Sequence, residues 1–148
     1  MTRFLVLLIL SFAAISLYFI KLQRTSKLLS STIKINEQEI KVKLARTSRE
    51  IEKGLGGQDQ LTEKEGMLFI MPGYDRYSFW MKGMKFPLDI IWIEKDTVVD
   101  ITKNIPLENN GNLTIYQPKT PANLVLEVNA GFSDKFGIKV GDKLFYSL

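Results

Sequence analysis

The chain contains neither histidine nor cysteine. That removes thiolate nucleophiles, Ser-His-Asp triads, zinc sites built on His or Cys, haem ligation by His and cysteine-bound iron–sulfur clusters. It also removes any disulfide scaffold and any lipidated cysteine. The chemistry left is that of carboxylates, Lys, Arg, Tyr, hydroxyls and backbone amides. No metal and no cofactor is expected. Basic charge is scarce where it would matter for nucleic acid. The net charge of +4 comes from Arg3, Lys21, Arg24 and Lys27, and the rest of the chain carries sixteen Lys/Arg against sixteen Asp/Glu. A neutral body offers no basic patch, so no nucleic-acid partner is expected.

One long hydrophobic run is present. Phe4–Ile20 is apolar apart from Ser11 and Ser16, with Arg3 before it and Lys21, Arg24 and Lys27 after it. At 1.5 Å per residue such a run spans roughly 25 Å, short but sufficient for a membrane helix. Ala14-Ile15-Ser16 offers a small-x-small cleavage pattern, yet the apolar run continues past it through Leu17–Ile20. The reading is therefore an uncleaved transmembrane anchor over residues 1–24, a linker over 25–31 and one β-rich domain over 32–148. The domain is expected outside the cytoplasm, with secretion after signal cleavage as the alternative.

Beyond the linker the hydrophobic period becomes two. Ile33 and Ile35 are separated from Ile40, Val42 and Leu44 by Asn36-Glu37-Gln38, the pattern of a hairpin. Thr47-Ser48-Arg49-Glu50 has capping-box spacing and Gly54 ends the run, which predicts a short helix over Ser48–Lys53. Strands are predicted over Met67–Met71, Tyr77–Lys82, Leu88–Glu94, Thr97–Ile105, Leu113–Tyr116, Asn123–Asn129 and Lys143–Ser147, with a helical turn near Ser133–Phe136. Many short strands with regular turn signals and few helical turns predict a mainly β fold, a compact sandwich or barrel with one or two short helices.

Two strands carry a charge within an apolar pattern. In Leu88–Ile93, Leu88, Ile90 and Trp92 share one face and Asp89, Ile91 and Ile93 the other. In Leu124–Asn129, Glu127 lies on a face with Val125 and Asn129. Burying either carboxylate costs several kcal/mol unless it is paired or hydrogen-bonded. Lys82, Arg76 or backbone amides are the candidate partners of Asp89. The aromatic stretch Tyr77–Trp80 beside Arg76 and Lys82 provides an apolar wall next to cations. A pocket lined by some of Arg76, Trp80, Lys82, Asp89 and Glu127 follows, suited to a polar ligand with flat or apolar faces. Trp80 and Trp92 could stack on a sugar or another flat ligand, although core packing accounts for them more simply, as it does for the methionines.

Gly54-Leu55, Gly66-Met67-Leu68-Phe69, Phe79-Trp80-Met81-Lys82, Pro87-Leu88-Asp89-Ile90, Leu126-Glu127-Val128-Asn129-Ala130-Gly131 and Gly137–Asp142 follow one another with the spacing of the domain of unknown function 192 family. The resemblance covers roughly Ile40 to Leu148. It implies a small β-rich domain, exported or membrane-attached in many members, and supplies no mechanism. Lys82, Asp89 and Glu127 match the family pattern. Gly56-Gly57-Gln58, Gly83-Met84 and Pro106-Leu107 depart from it, standing where the family often has Met-Gly-Arg, Asn-Thr and Pro-Cys. Together these features suggest a non-enzymatic, membrane-anchored extracytoplasmic module that binds a small molecule, glycan or partner protein. The alternative is a hydrolase or lyase using Asp89 and Glu127.

Overall fold

The computed structural model describes residues 14–18, 30–108 and 113–146. The chain divides into two units, Met1–Ser30 and Ser31–Leu148. In the first, residues 14–18 are helical. The rest of the expected anchor Phe4–Ile20 lies outside the described residues, and among those described no helix is long and apolar enough to cross a membrane.

The second unit is mainly β. Its elements are β1 (Ser30–Ile35), β2 (Gln38–Ala45), α1 (Ser48–Lys53), β3 (Glu65–Asp75), β4 (Leu88–Glu94), β5 (Thr97–Ile105), β6 (Ala122–Asn129), α2 (Phe132–Lys135) and β7 (Leu144–Tyr146). All seven strands form one sheet in the order β5-β4-β6-β3-β2-β1-β7. Only β2 and β3 run parallel, joined through α1. The architecture is thus neither two packed sheets nor a fully closed barrel. The sheet curls until its edges meet at one end, where Val98 donates to the Asp142 carbonyl, Gly141 to that of Val98 and Leu144 to that of Asp96. β7 has three residues, too few to extend the closure further.

Local chemistry sets the turns. Asn36 in the β1–β2 hairpin adopts φ 53°, a left-handed conformation that Asn tolerates better than most residues. The α1 capping box forms as the spacing predicts: Thr47 Oγ1 accepts from the Glu50 amide, and Glu50 Oε2 accepts from the Thr47 and Arg46 amides. Those backbone donors hold the Glu50 carboxyl below its usual range.

Both faces of the sheet are buried. The concave interior holds Ile33, Ile35, Ile40, Val42, Leu68, Ile91, Ile93, Leu126 and Val128 with Phe132 and Ile138. The outer face carries a second cluster of Leu55, Phe69, Phe79, Met81, Ile90, Trp92 and Val125. The two strands predicted over Tyr77–Lys82 and Leu113–Tyr116 do not form. These segments cross the outer face as loops, joined by one antiparallel bridge between Phe79 and Tyr116. Their alternating pattern is satisfied by burying Phe79 and Met81 under the loop rather than by a ladder. The strand predicted over Met67–Met71 runs on instead to Asp75, through a register shift between Ile70 and Asp75 after which pairing resumes with Ala122.

Candidate functional site

The outer layer leaves a cleft of about 190 Å³ between the end of α1 and the Tyr77–Met84 loop. Its walls include Gly54, Leu55, Phe69, Met71, Phe79, Trp80 and Lys82, and Glu127 lines it from β6. The Phe79 ring meets Phe69 edge-on at 5.0 Å and Trp92 edge-on at 5.3 Å, a stacked aromatic layer that fixes this region. Trp80, next in sequence, stays 39% exposed at the mouth. The turn after α1 is pinned across the gap by the Gly57 amide donating to the Gly83 carbonyl.

Glu127 sits between β3 and β4, opposite Met67 on one side and Ile90 on the other. It is only 5% exposed, and its Oε2 has no hydrogen-bond partner. None of the ion pairs among the described residues reaches it. With nothing to support its charge, burial pushes the carboxyl up to about 8. At neutral pH it is largely a neutral acid, able to donate as well as accept. Gly54 keeps the space beside it: a Cβ there would lie 3.8 Å from Glu127 Oε2 and 3.5 Å from the Phe69 ring, and φ +50° already disfavours a side chain.

Asp89 is the opposite case. Its strand position faces the interior, in register with Val128, whereas Glu127 pairs with Ile90 on the outer face. Asp89 is wholly buried and fully engaged. Oδ1 accepts from the Asn104 and Gly131 amides at 2.8 and 3.1 Å, and Oδ2 from the Ser133 amide at 2.9 Å. The carboxylate therefore ties β4 to β5 and to the β6–α2 turn. Backbone amides, not Lys82 or Arg76, are its partners.

Of the five residues singled out from the sequence, Trp80, Lys82 and Glu127 converge on the cleft. Arg76 and Asp89 are not among its walls. Arg76 is a fastener: its Nε donates to the Pro118 carbonyl at 2.8 Å, and the Gln117 side-chain Nε2 donates to the Arg76 carbonyl and to Ser78 Oγ. Because the sheet lies between Asp89 and Glu127, the carboxylate pair required by the hydrolase or lyase reading does not assemble. The two tryptophans also divide. Trp92 is buried and donates to Thr102 Oγ1, and Trp80 lines the cleft. The sequence reading missed Gly54, Phe69, Met71 and Met84 as cleft residues. Gly54, beyond its role at the helix end, carried the one usable signal, since it opens a Gly-Leu-Gly-Gly turn. Among the described residues no group of three or more acidic side chains gathers to hold a metal ion.

The mainly β domain matches a known family. The chain belongs to the domain of unknown function 192 (DUF192) family, an uncharacterized ACR family whose model matches residues 31–146. Two solved structures are similar. One, from Sinorhizobium meliloti 1021, is provisionally described as a transcription regulator; it is 27% identical, with a TM-score of 0.73 over 79% of this chain and 93% of that one. The other is a protein of unknown function from Novosphingobium aromaticivorans DSM 12444, 34% identical, with a TM-score of 0.70 over 78% of this chain and 83% of that one. No curated protein is similar enough to match the chain.

Proposed function

We propose that the chain is a non-enzymatic binding module, held at the membrane by Phe4–Ile20 with its β-rich domain outside the cytoplasm, and that its ligand enters the Glu127 cleft. The observation that carries the reading is the unpartnered, buried Glu127 Oε2 lining an aromatic-walled opening. Buried polar groups are almost always hydrogen-bonded, and one left without a partner beside an opening is a place where a bound group could supply the missing bond. The volume sets the scale. At about 190 Å³ the cleft is smaller than the 300–1,000 Å³ typical of drug-sized ligands, so it takes a small molecule or one protruding group of a larger one. Lys53 and Lys82 at the rim are available to an acidic group on the same ligand. The membrane location rests on the apolar run and its flanking cations.

A thermal-shift screen of small polar molecules on the full-length chain tests the binding role. A ligand at a hundredfold excess over its Kd raises stability by about 2.7 kcal/mol. Ligands of the cleft should shift the wild type and lose that shift in Trp80→Ala and in Glu127→Leu. Equal shifts in all three proteins would place binding elsewhere. The location is tested by fractionation. Full-length protein should sediment with membranes, and a soluble mature form beginning near Leu17 would identify the segment as a cleaved signal instead.

A further inference from the structure

Taking the cleft as a ligand site, we propose that its ligand presents a cationic ammonium group on a short apolar stem, seated against Glu127 between the aromatic and methionine walls. Three features of the cleft point to this chemistry. First, the buried carboxyl has no donor of its own. Asp89 is surrounded by three amide N–H groups, whereas Glu127 Oε2 has none, so the protein leaves the compensating positive charge to the ligand. Second, Phe69, Phe79 and Trp80, with Met71 and Met84, line the same space. Aromatic rings and polarisable thioethers favour an organic cation, as in sites for quaternary and methylated ammonium groups. Third, Glu127 is the one buried polar side chain among the walls of the cleft; Glu52, Lys53, Ser78 and Lys82 also line it but are exposed at its rim. A sugar ring would strand several hydroxyls on entering such a site, each costing on the order of 1–3 kcal/mol, whereas an alkylammonium brings its charge to Glu127 and its stem to the apolar wall. The glycan option is therefore the weaker one here.

Binding is then coupled to a proton. The neutral acid releases its proton to solvent as the ammonium ion arrives, leaving a carboxylate–ammonium pair with no bond to carbon made or broken. Affinity should rise with pH up to about 8, where Glu127 ionises in the free protein, and level off above it.

Titration calorimetry on the full-length chain, with n-butylammonium chloride against n-butanol, tests this in two buffers of different ionisation enthalpy. The expected result is binding of the cation in preference to the alcohol. Its affinity should climb by up to about tenfold per pH unit below pH 8, with release of up to about one proton per site. Glu127→Gln, which keeps shape and removes the charge, should lower cation affinity at least tenfold at pH 8 and abolish proton release. Trp80→Ala should weaken binding without changing proton release. Nα-acetyl-lysine amide run alongside separates the sources: rejection assigns the site to a free amine, tight binding to a lysine side chain of a partner. Equal affinity for butanol, or affinity that falls with rising pH, would overturn the ammonium assignment while leaving the cleft as the ligand site. Failure of both probes at millimolar concentration, in wild type and Glu127→Gln alike, would also overturn the ammonium assignment, and the cleft would then stand or fall on the thermal-shift screen.

Discussion

Asp89 and Glu127 occupy diagonal positions on neighbouring strands, β4 and β6, and both are buried carboxyl groups within apolar runs. They differ by one step of the pleat. That step turns Asp89 inward, onto one backbone amide of β5 and two at the β6–α2 turn, and Glu127 outward, under a layer of loops that gives it nothing to bond. The inward carboxylate is a structural staple whose lone pairs satisfy otherwise stranded amides. The outward one is kept in an electrostatically unfavourable place, the kind of cost found at functional sites. Burial alone therefore does not separate these two carboxyl groups; the supply of hydrogen-bond donors does.

The largest effect should come from removing the staple. Asp89→Ala strands three backbone N–H groups, that of Ser133 fully buried, and should destabilise by roughly 3–5 kcal/mol, measured as a fall in denaturant midpoint at unchanged m value. Asp89→Asn retains an acceptor for two of the donors but sets an NH₂ group against the third, so it should cost less, roughly 1.5–3 kcal/mol. A loss equal to that of the alanine variant would mean that charge, not hydrogen-bond geometry, is what the amides require.

The matching change at Glu127 should have the opposite sign. Its folded pKa of about 8 lies above the ordinary value of 4.5. The unfolded chain ionises near 4.5 while the folded chain keeps its proton up to about 8, so folding takes up a proton between those values. Stability from this group is therefore fully present below 4.5 and is lost as pH rises through that window. Glu127→Leu should raise stability at pH 8 by roughly 1–4 kcal/mol. Glu127→Gln should flatten the decline between pH 5 and 8 without a large change at pH 5. A pH profile unaltered in Glu127→Gln would show that the carboxyl is already ionised and solvated in the fold, and the contrast with Asp89 would fail.

The smallest stability effect belongs to Trp80. With 39% of its surface exposed and, among the described residues, no side-chain hydrogen bond, Trp80→Ala should cost about 1 kcal/mol or less. Trp92→Ala, at a wholly buried site, should cost roughly 3–5 kcal/mol. Comparable losses in the two variants would make Trp80 part of the core and remove it from the cleft.

Much of this molecule is determined locally and can be read from the chain. The capping box fixes α1 because Thr47 and Glu50 are three residues apart and satisfy each other's amides. Strict alternation sorts Leu88, Ile90 and Trp92 from Asp89, Ile91 and Ile93, and the strand buries both sets on opposite faces as that alternation requires. β4 and β5 begin and end where their patterns do. The family motifs from Gly54 to Asp142 follow the same linear logic. Tertiary structure decided what depends on neighbours far along the chain. Tyr77–Lys82 has a strand's alternation but finds only one bridging partner, so it becomes the roof of the cleft. Whether a buried carboxylate meets three amides or none depends on which turn lies beside it: Asn104, Gly131 and Ser133 stand 15, 42 and 44 residues from Asp89. Sequence specifies which face a side chain takes, because the pleat has a period of two. What waits on that face is set by the curl of the sheet and the paths of its loops, and that is what made a staple of Asp89 and left Glu127 without a partner.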